Sequence, residues 1–224
     1  MDYPTDQQRE FLARCGVDAD RSLPIMQQFQ QDVADANKRV NLTRITDPDE
    51  FWTLHVCDSL SAALVLPRLL QAAAVVADVG CGGGFPIFPL AWANPALTLT
   101  GMESRYRKAE FLREQAGRLG LENVEVLHKQ AREAGQKPPY RHRYDVVLLR
   151  AVGTAGKMVR EVRGLLKPEP GATILFYKTP EQIEQELPLA QREADKYSFD
   201  LTRTDPLELP HDAGTRQFLI LQKQ

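Results

Sequence analysis

Hydrophobic and polar positions change their period about a third of the way along the chain. In the first part, apolar side chains recur three or four positions apart, as at Leu23, Met26, Phe29 and Val33, which is the spacing of one helix face. This pattern predicts an N-terminal helical segment over about 1–70. Its helices are expected at 5–16 with Thr5 as N-cap, at 21–39, and from Pro48 onward with Thr46 or Asp47 as N-cap.

A mostly parallel sheet is predicted after this segment, because short apolar runs alternate with helical stretches. The last two apolar runs are joined by a loop and not by a helix, so an antiparallel pair is expected at the sheet edge. We therefore predict a single compact α/β domain over 71–224 with seven strands. Strands are expected at 73–80, 97–103, 124–128, 144–149, 172–178, 197–204 and 216–222, and helices at 86–93, 105–119, 155–166 and 180–195.

Composition excludes several classes of protein. No apolar run reaches the 18 residues of a membrane span, and the first residues lack the basic and apolar regions of a signal peptide. Cys15, Cys57 and Cys81 are widely spaced and odd in number, so free thiols are expected and neither a disulfide frame nor a metal site. These features favour a cytoplasmic protein without membrane partners.

Charge is distributed unevenly along the 224 residues, although the net charge is only −2. Between Arg105 and Lys178 there are 16 Lys and Arg against 8 Asp and Glu. A basic middle in an acidic chain suits an anionic partner on one face. Solvated helix faces explain the same counts equally well, so charge alone leaves the partner open.

A glycine loop follows the first predicted strand. Gly80, Gly82 and Gly84 come directly after the strand, and Pro86 suits the first turn of the next helix. Glycines let the backbone approach a ligand closely. Glu103 ends the following strand, where a carboxylate can accept hydrogen bonds from a ribose diol. The order of strand, glycines, helix, strand and acid predicts a nucleotide-like cofactor with a free ribose.

Both NAD and S-adenosylmethionine fit that description, and three features favour S-adenosylmethionine. Asp78 precedes the first glycine by two positions, Pro86 stands where a pyrophosphate site requires a small residue, and the chain has no room for a second catalytic domain. A nicotinamide-dependent oxidoreductase remains the alternative. It would require an acid or base near the nicotinamide, for which no tyrosine, lysine or histidine is well placed.

Several motifs together resemble one enzyme family. "VNLTRI", "HVCDSL", "DVGCGGGFPIFPLA", "ESRYRKAEFL", "YDVVLLRAV" and "LLKPEPGATILFYK" are similar to segments of the bacterial small-subunit ribosomal RNA guanine-N7 methyltransferases, also called glucose-inhibited division protein B. The resemblance runs from about Val40 to Lys178. It implies a class I S-adenosylmethionine-dependent methyltransferase (Rossmann-like) fold and methylation of guanine N7 in 16S ribosomal RNA. A monomer acting on that RNA, or on the assembling small ribosomal subunit, is expected.

The resemblance also implies roles for individual residues. Arg150 and Lys178 would face the target guanine or its phosphate as catalytic residues. Arg107, Lys108 and Arg216 would contact RNA. The expected cofactor-binding residues are Asp78, Gly80, Gly82, Gly84 and Phe85 around the methionine end, Glu103 at the ribose, Ala131 and Arg132 at the adenine, and Arg150. Several positions depart from the family pattern. Ile87 and Tyr106 stand where the family has glycine, Arg105 replaces a usual apolar residue, Glu103 replaces a usual Asp, and "QARE" replaces "RVEE".

The chemistry of guanine N7 needs few catalytic groups. N7 has a lone pair and no proton to lose, so orientation and a desolvated site can supply most of the rate. No cysteine follows the fourth or fifth strand, where an enzyme acting on pyrimidine C5 needs its nucleophile. A small-molecule methyltransferase and a cofactor-binding RNA module without turnover remain alternatives.

Two further readings stay open. Arg150 and Lys178 both follow strands at their carboxyl ends, where ligands of open α/β sheets bind. An arginine at a strand end can also simply reach solvent. His55 and Asp58 are three residues apart on one predicted helix, which suits either a metal pair or, more plausibly, a buried polar contact.

Overall fold

A twisted sheet with helices on both faces organises the chain, whose computed structural model describes residues 3–45 and 47–224. The strands occur in the spatial order β3-β2-β1-β4-β5-β8-β6, and β7 pairs only with β8. The strands are β1 Val75–Val79, β2 Thr98–Met102, β3 Val124–Leu127, β4 Val146–Arg150, β5 Thr173–Lys178, β6 Phe199–Arg203, β7 Leu207–Glu208 and β8 Thr215–Lys223.

The predicted sheet is confirmed. Strands β1 to β5 pair in parallel, and β8 is antiparallel to both β5 and β6. All seven predicted strands are present. The additional strand β7 has two residues, Leu207 and Glu208, and is too short to show a period in the sequence.

The helices from Pro48 to Gln71 form a nearly continuous segment. A π-helix over Phe51–Cys57 lies in its middle, and π-helical turns are uncommon and often occur near functional sites. The α-helices are α1 Asp6–Arg14, α2 Ala19–Val40, α3 Pro48–Glu50, α4 Asp58–Leu60, α5 Ala62–Val65, α6 Arg68–Gln71, α7 Ile87–Ala93, α8 Tyr106–Arg118, α9 Ala131–Ala134, α10 Ala155–Val162 and α11 Pro180–Lys196.

The predicted helix starts rest on side-chain caps. Thr5 Oγ1 accepts from the Gln8 N–H, and the Gln8 side chain accepts from the Thr5 N–H, which completes a capping box. Asp47 caps α3 by accepting from two N–H groups of the first turn. The other predicted cap, Thr46, lies outside the described residues.

The sheet has a hydrophobic core on each face. One core lies between the sheet and α1, α2, α7 and α8 and includes Phe29, Trp52 and Phe88. The other packs against α10 and α11 and includes Val159 and Phe176. The boundary expected near residue 70 stays a prediction. Within the described residues, none of the helices combines the length and the apolar character that crossing a membrane requires.

A buried carboxylate joins the N-terminal helices to the sheet. Asp58 on α4 forms an ion pair with Arg150 Nε at 2.9 Å, and it accepts hydrogen bonds from Arg216 Nε at 2.5 Å and Nη2 at 2.8 Å. Arg150 ends β4 and Arg216 belongs to β8. This group of three, called here the Asp58 clamp, therefore connects three parts of the fold. Guanidinium groups contact both carboxylate oxygens of Asp58. This arrangement favours a buried polar contact at Asp58 over a metal pair with His55.

Removing the Asp58 carboxylate should destabilise the fold strongly. Asp58→Ala leaves two largely buried guanidinium groups without a counter-charge, and breaking a buried pair typically costs about 3–5 kcal/mol. We expect the free energy of unfolding in urea to fall by about that amount. Asp35→Ala is the control, because Asp35 pairs with Lys38 on the surface and should contribute less than about 1 kcal/mol. A similarly small loss for Asp58→Ala would contradict a stabilising clamp.

Candidate active site

A cleft with two adjacent chambers lies at the carboxyl ends of β1, β2 and β4. The first chamber has a volume of about 390 Å³ and the second about 490 Å³, and both include Gly80 and Ser104. Chambers of this size suit a small-molecule cofactor. The first is lined by Leu42, Thr43, His55, Gly80, Cys81, Gly82, Gly83, Phe85, Glu103, Ser104, Arg105, Lys108, Arg150, Ala151 and Val152.

The glycine loop is held between β1 and the segment after β4. Gly80 has a φ of +76°, and a Cβ placed on it would lie 2.4 Å from Val152 Cγ1. A larger residue would therefore both strain the backbone and clash. Gly80 and Gly82 line the first chamber. Gly84 faces the core, because a Cβ there would lie 3.0 Å from the rings of Phe29 and Phe88.

Glu103 lies between the glycine loop and the start of α8. Its Oε2 accepts from the Gly82 N–H at 3.1 Å, and its Oε1 accepts from the Arg105 N–H at 2.8 Å. The residue is 6% exposed and lines the first chamber. A carboxylate can accept about four hydrogen bonds, so both oxygens keep capacity for a ligand diol.

Asp78 is buried behind the glycine loop. Its Oδ2 accepts from the Ile87 N–H at 3.1 Å, whereas its buried Oδ1 has no partner in the described structure. Burial raises the pKa of Asp78 to about 7, against the opposing effects of the Ile87 N–H and the Arg150 charge. An unpartnered buried carboxylate oxygen is costly, so this position is suited to a cationic ligand group or a bridging water.

His55 is an uncharged part of the chamber wall. Its ring stacks on Phe85 with centroids 4.0 Å apart and planes 10° from parallel. Its Nε2 lies 2.9 Å from Thr43 Oγ1. Burial, assisted by the positive charge of Arg150, lowers the pKa of His55 to about 3. The imidazole is therefore neutral at physiological pH.

Arg150 lines the first chamber but is already engaged. Besides Asp58, its guanidinium donates to the Leu54 carbonyl at 2.5 Å and to Ser59 Oγ at 3.3 Å. In a regular α-helix the Leu54 carbonyl would accept from the Asp58 N–H. Here that N–H donates to the carbonyls of Thr53, five residues back, and of His55. The π-helix thus leaves the Leu54 carbonyl free to accept from Arg150. An arginine that simply reaches solvent does not fit this geometry.

Lys178 and Arg216 do not enter the cleft. Lys178 is 6% exposed, and its ammonium donates to Glu186 Oε1 at 2.9 Å and to the Gly153 carbonyl at 3.0 Å. It lies on the α11 side of the sheet, opposite to Arg150. Arg216 is held in the Asp58 clamp. The catalytic role of Lys178 and the RNA contact of Arg216 stay predictions that these positions do not support.

Arg107 and Lys108, the basic pair predicted to contact RNA, lie in different environments on α8. Arg107 is exposed to solvent. Lys108 lines the first chamber, and its ammonium donates to the Leu42 carbonyl at 3.2 Å. Asn37 bonds both the N–H and the carbonyl of Thr43. Residues 41–45, called here the strap, are thereby fixed along one side of the chamber.

The second chamber accommodates the residues expected at the adenine. Ala131 and Arg132 line it together with Met102 and Met158. Ala131 is buried, whereas Arg132 is exposed. The lining combines these apolar side chains with three cations, Lys129, Arg132 and Lys157. Apolar surface with cations beside it suits a flat heterocycle.

The departures at Ile87 and Tyr106 are accommodated away from the cleft, whereas Arg105 lines the first chamber. Ile87 is fully buried, and its Cδ1 lies 3.0 Å from where a Cβ of Gly101 would be. Its bulk therefore fills space that this glycine leaves on β2. Tyr106 is 60% exposed and contacts the His128 ring edge to face at 5.5 Å.

Comparison with known proteins decides the family. The family model described as GidB, rRNA small subunit methyltransferase G, matches residues 22–209. The chain belongs to this family. A ribosomal RNA small subunit methyltransferase G from Trichormus variabilis is 41% identical over 200 residues, which cover 88% of this chain and 80% of that relative. One from Lactobacillus delbrueckii subsp. bulgaricus is 33% identical over 88% of this chain and 82% of that relative.

Solved structures of other methyltransferases have the same fold. An O-methyltransferase from Bacillus cereus in complex with SAH has a TM-score of 0.60 and 15% identity, covering 88% of this chain and 91% of that chain. A SAM-dependent methyltransferase from Aquifex aeolicus has a TM-score of 0.57 and 17% identity, covering 87% and 98%. The expected Rossmann-like methyltransferase fold is thus confirmed, and the nicotinamide alternative has no support.

Sequence reasoning missed the wall of the chamber opposite the glycine loop. Thr43 and His55 line it. The sequence suggests no role for Thr43, and for His55 it suggests only a metal or polar contact with Asp58. Ala151 also lines it, with a φ of +55° that is strained for a residue other than glycine. The motifs "VNLTRI" and "HVCDSL", which contain Thr43 and His55, were the part of the sequence that could have indicated this wall. Only the fold shows that both segments reach the cleft.

Asp78 should make stability depend on pH. Its folded pKa of about 7 exceeds the unfolded value of 3.8, so the folded state binds more protons between these values and the free energy of unfolding falls as pH rises through them. Asp78→Asn does not titrate. We therefore expect the unfolding free energy of the variant, relative to that of the wild type, to increase with pH between about pH 4 and 7. The total increase should approach roughly 4 kcal/mol. Urea unfolding across that range measures the difference.

Asp145→Asn is the control of opposite sign. Burial raises the pKa of Asp145, but the hydrogen bond from Lys167 outweighs this effect and leaves that pKa below its ordinary value. Asp145 therefore stabilises the protein above the unfolded pKa, and this contribution is lost as pH falls through the folded pKa. A difference between Asp78→Asn and wild type that stays constant over this range would show that Asp78 is ionised throughout.

Proposed function

We propose that the protein transfers the methyl group of S-adenosylmethionine to N7 of a guanine in 16S ribosomal RNA. One observation carries the proposal: the buried Glu103 carboxylate stands beside Ser104, where two chambers of the cleft meet. This arrangement fits a cofactor with a ribose between two chemically different ends. Membership in the rRNA small subunit methyltransferase G family supports ribosomal RNA as the substrate.

The residues present fit S-adenosylmethionine. Glu103 would accept hydrogen bonds from the ribose diol, and the second chamber beside Ala131 would hold the adenine. The glycine loop would follow the methionine end, where the unpartnered Asp78 Oδ1 suits a positive charge directly or through water. Bound there, the cofactor supplies a sulfonium-activated methyl group.

The protein's own part in the reaction is to position the base and exclude water. Guanine N7 attacks with its lone pair, so no general base is needed, and alignment of the reacting atoms can supply much of the rate. Methylation gives the guanine a positive charge. His55 is neutral and Arg150 is paired with Asp58. The chamber wall therefore opposes that charge less than two free cations would.

The partner and the setting follow from the same reasoning. We propose that the protein acts as a monomer in the cytoplasm on 16S ribosomal RNA, either as free RNA or within the assembling small subunit. Phe85 and His55 form a stacked aromatic pair in the first chamber, and such surfaces suit an unpaired base turned out of its helix. The target guanine would enter that chamber.

Mapping of modified bases tests the proposed function. Ribosomal RNA from cells with and without the gene is cleaved chemically at N7-methylguanine, and one guanine of 16S RNA should lose its modification in the deletion strain. The purified protein with S-adenosylmethionine should restore it on RNA or small subunits from that strain. An unchanged modification pattern, together with no methyl transfer in vitro, would reject the function.

Loss of the Glu103 carboxylate should weaken cofactor binding. Glu103→Ala removes hydrogen bonds to the ribose, each worth about 1.5–3 kcal/mol for a charged acceptor. It also frees the Gly82 N–H. We expect the Kd for S-adenosylmethionine, measured by calorimetry, to rise at least about tenfold.

Glu110→Ala provides the matched control on α8. Glu110 forms an exposed ion pair with Arg113 and should leave the Kd for the cofactor unchanged. If Glu103→Ala also binds S-adenosylmethionine with wild-type affinity, another group holds the ribose.

A further inference from the structure

A third cavity lies outside the cleft, on the flank formed by α9, α10 and the loop before β4. Its volume is about 370 Å³. Four arginines line it with a histidine and a single acidic residue. These are Arg132, Arg141, Arg160, Arg163, His142 and Glu161, and the cavity is called here the flank pocket.

The backbone around the flank pocket is fixed by close contacts. A Cβ on Gly164 would lie only 2.7 Å from the Gly135 carbonyl oxygen, so the end of α10 and the end of α9 touch. The His142 N–H donates to the Gly164 carbonyl at 2.9 Å, and its Nδ1 donates to the Leu166 carbonyl at 2.9 Å. The pocket is therefore formed before any ligand arrives.

Two of its arginines are oriented by neighbouring side chains, one by an aromatic ring and one by a long ion pair. The Arg163 guanidinium lies 4.5 Å from the centre of the Tyr197 ring, which orients it but adds no negative charge. Arg160 Nε is 3.9 Å from Glu193 Oε2, beyond hydrogen-bond distance. Both side chains and Arg141 are exposed. Planar guanidinium groups in this state are suited to bind phosphate oxygens in pairs.

The flank pocket adjoins the second chamber. Arg132 and Glu161 line both cavities. Lys129 and Lys157 add two exposed cations to the second chamber. Positive charge therefore follows one flank of the molecule from the cofactor cleft to the end of α10. Repeated cations along a path match the regularly spaced phosphates of a nucleic acid strand better than a single anion.

We propose that the flank pocket binds backbone phosphates of the RNA substrate, next to the cleft into which the target base enters. This inference rests on the proposed function for the identity of the polymer. The pocket contributes affinity and register and reads no base, because arginine contacts to phosphate carry no sequence information. It lies on the α10 side of the sheet, away from the Arg107 surface of α8.

The salt dependence of RNA binding tests the flank pocket. The triple variant Arg141→Gln, Arg160→Gln, Arg163→Gln keeps most of the side-chain length and removes three charges. Each lost phosphate contact should reduce the slope of log affinity against log salt by about one. We expect the slope for 16S RNA to fall by about two to three, and affinity at low salt to fall about tenfold or more.

A control with equal charge separates local from general electrostatics. Arg14, Arg21 and Arg192 are also exposed, and Arg14 stacks on Phe11 as Arg163 does on Tyr197. Changing these three to Gln should leave the slope near that of the wild type. An equal loss in both triple variants would mean that only net charge matters and would overturn the proposal. So would an unchanged slope in the flank-pocket variant.

Further measurements distinguish the remaining outcomes. The Kd for S-adenosylmethionine should be unchanged in the flank-pocket variant, which shows that the cleft is intact. If that variant does not fold, the single change Arg141→Glu must still weaken RNA binding more than Arg192→Glu does. If inorganic phosphate binding is lost while the RNA slope stays unchanged, the pocket serves a small anion and the proposal fails. Wild-type protein that binds RNA with the expected slopes but transfers no methyl group would reject the proposed function and leave the pocket standing.

Discussion

The Asp58 carboxylate, held between two guanidinium groups, is the interaction on which the rest of the site depends. Arg150 brings the end of β4 to it, and Arg216 brings the antiparallel strand β8. A buried ion pair is stable only when its hydrogen bonds are well satisfied. Here Asp58 accepts on both oxygens, and Arg150 donates further to Leu54 and Ser59. The clamp therefore fixes where the N-terminal helices lie against the sheet.

That placement determines the character of the first chamber. His55 belongs to the same helical segment as Asp58, and it completes the wall opposite the glycine loop by stacking on Phe85. Lys108 and Asn37 hold the strap beside it. The chamber thus combines an aromatic surface, a neutral imidazole and a paired arginine. Such a lining can orient a flat base without a catalytic acid or base, which is what attack by guanine N7 requires.

The elements of the fold were predictable because apolar periods and caps such as Thr5 specify them locally. The roles of strand-end cations were harder to predict, because side chains alternate between the two faces of a strand. Arg150 shares its face with Leu148, towards the N-terminal helices, whereas Lys178 shares its face with Phe176, towards α11. Only the packed structure shows which face carries the cleft. The π-helix was equally hidden, since its wide turn is matched by a tertiary contact from Arg150.

The length of chain between the partners of the clamp has a consequence for synthesis. Arg216 follows Asp58 by 158 residues. At roughly 5–20 residues per second, a ribosome makes Asp58 on the order of ten seconds or more before its partner on β8. During that interval Asp58 can pair with Arg150 but not with Arg216, so the clamp is incomplete. The contact between Arg216 and Asp58 is therefore among the last tertiary contacts that the growing chain can form.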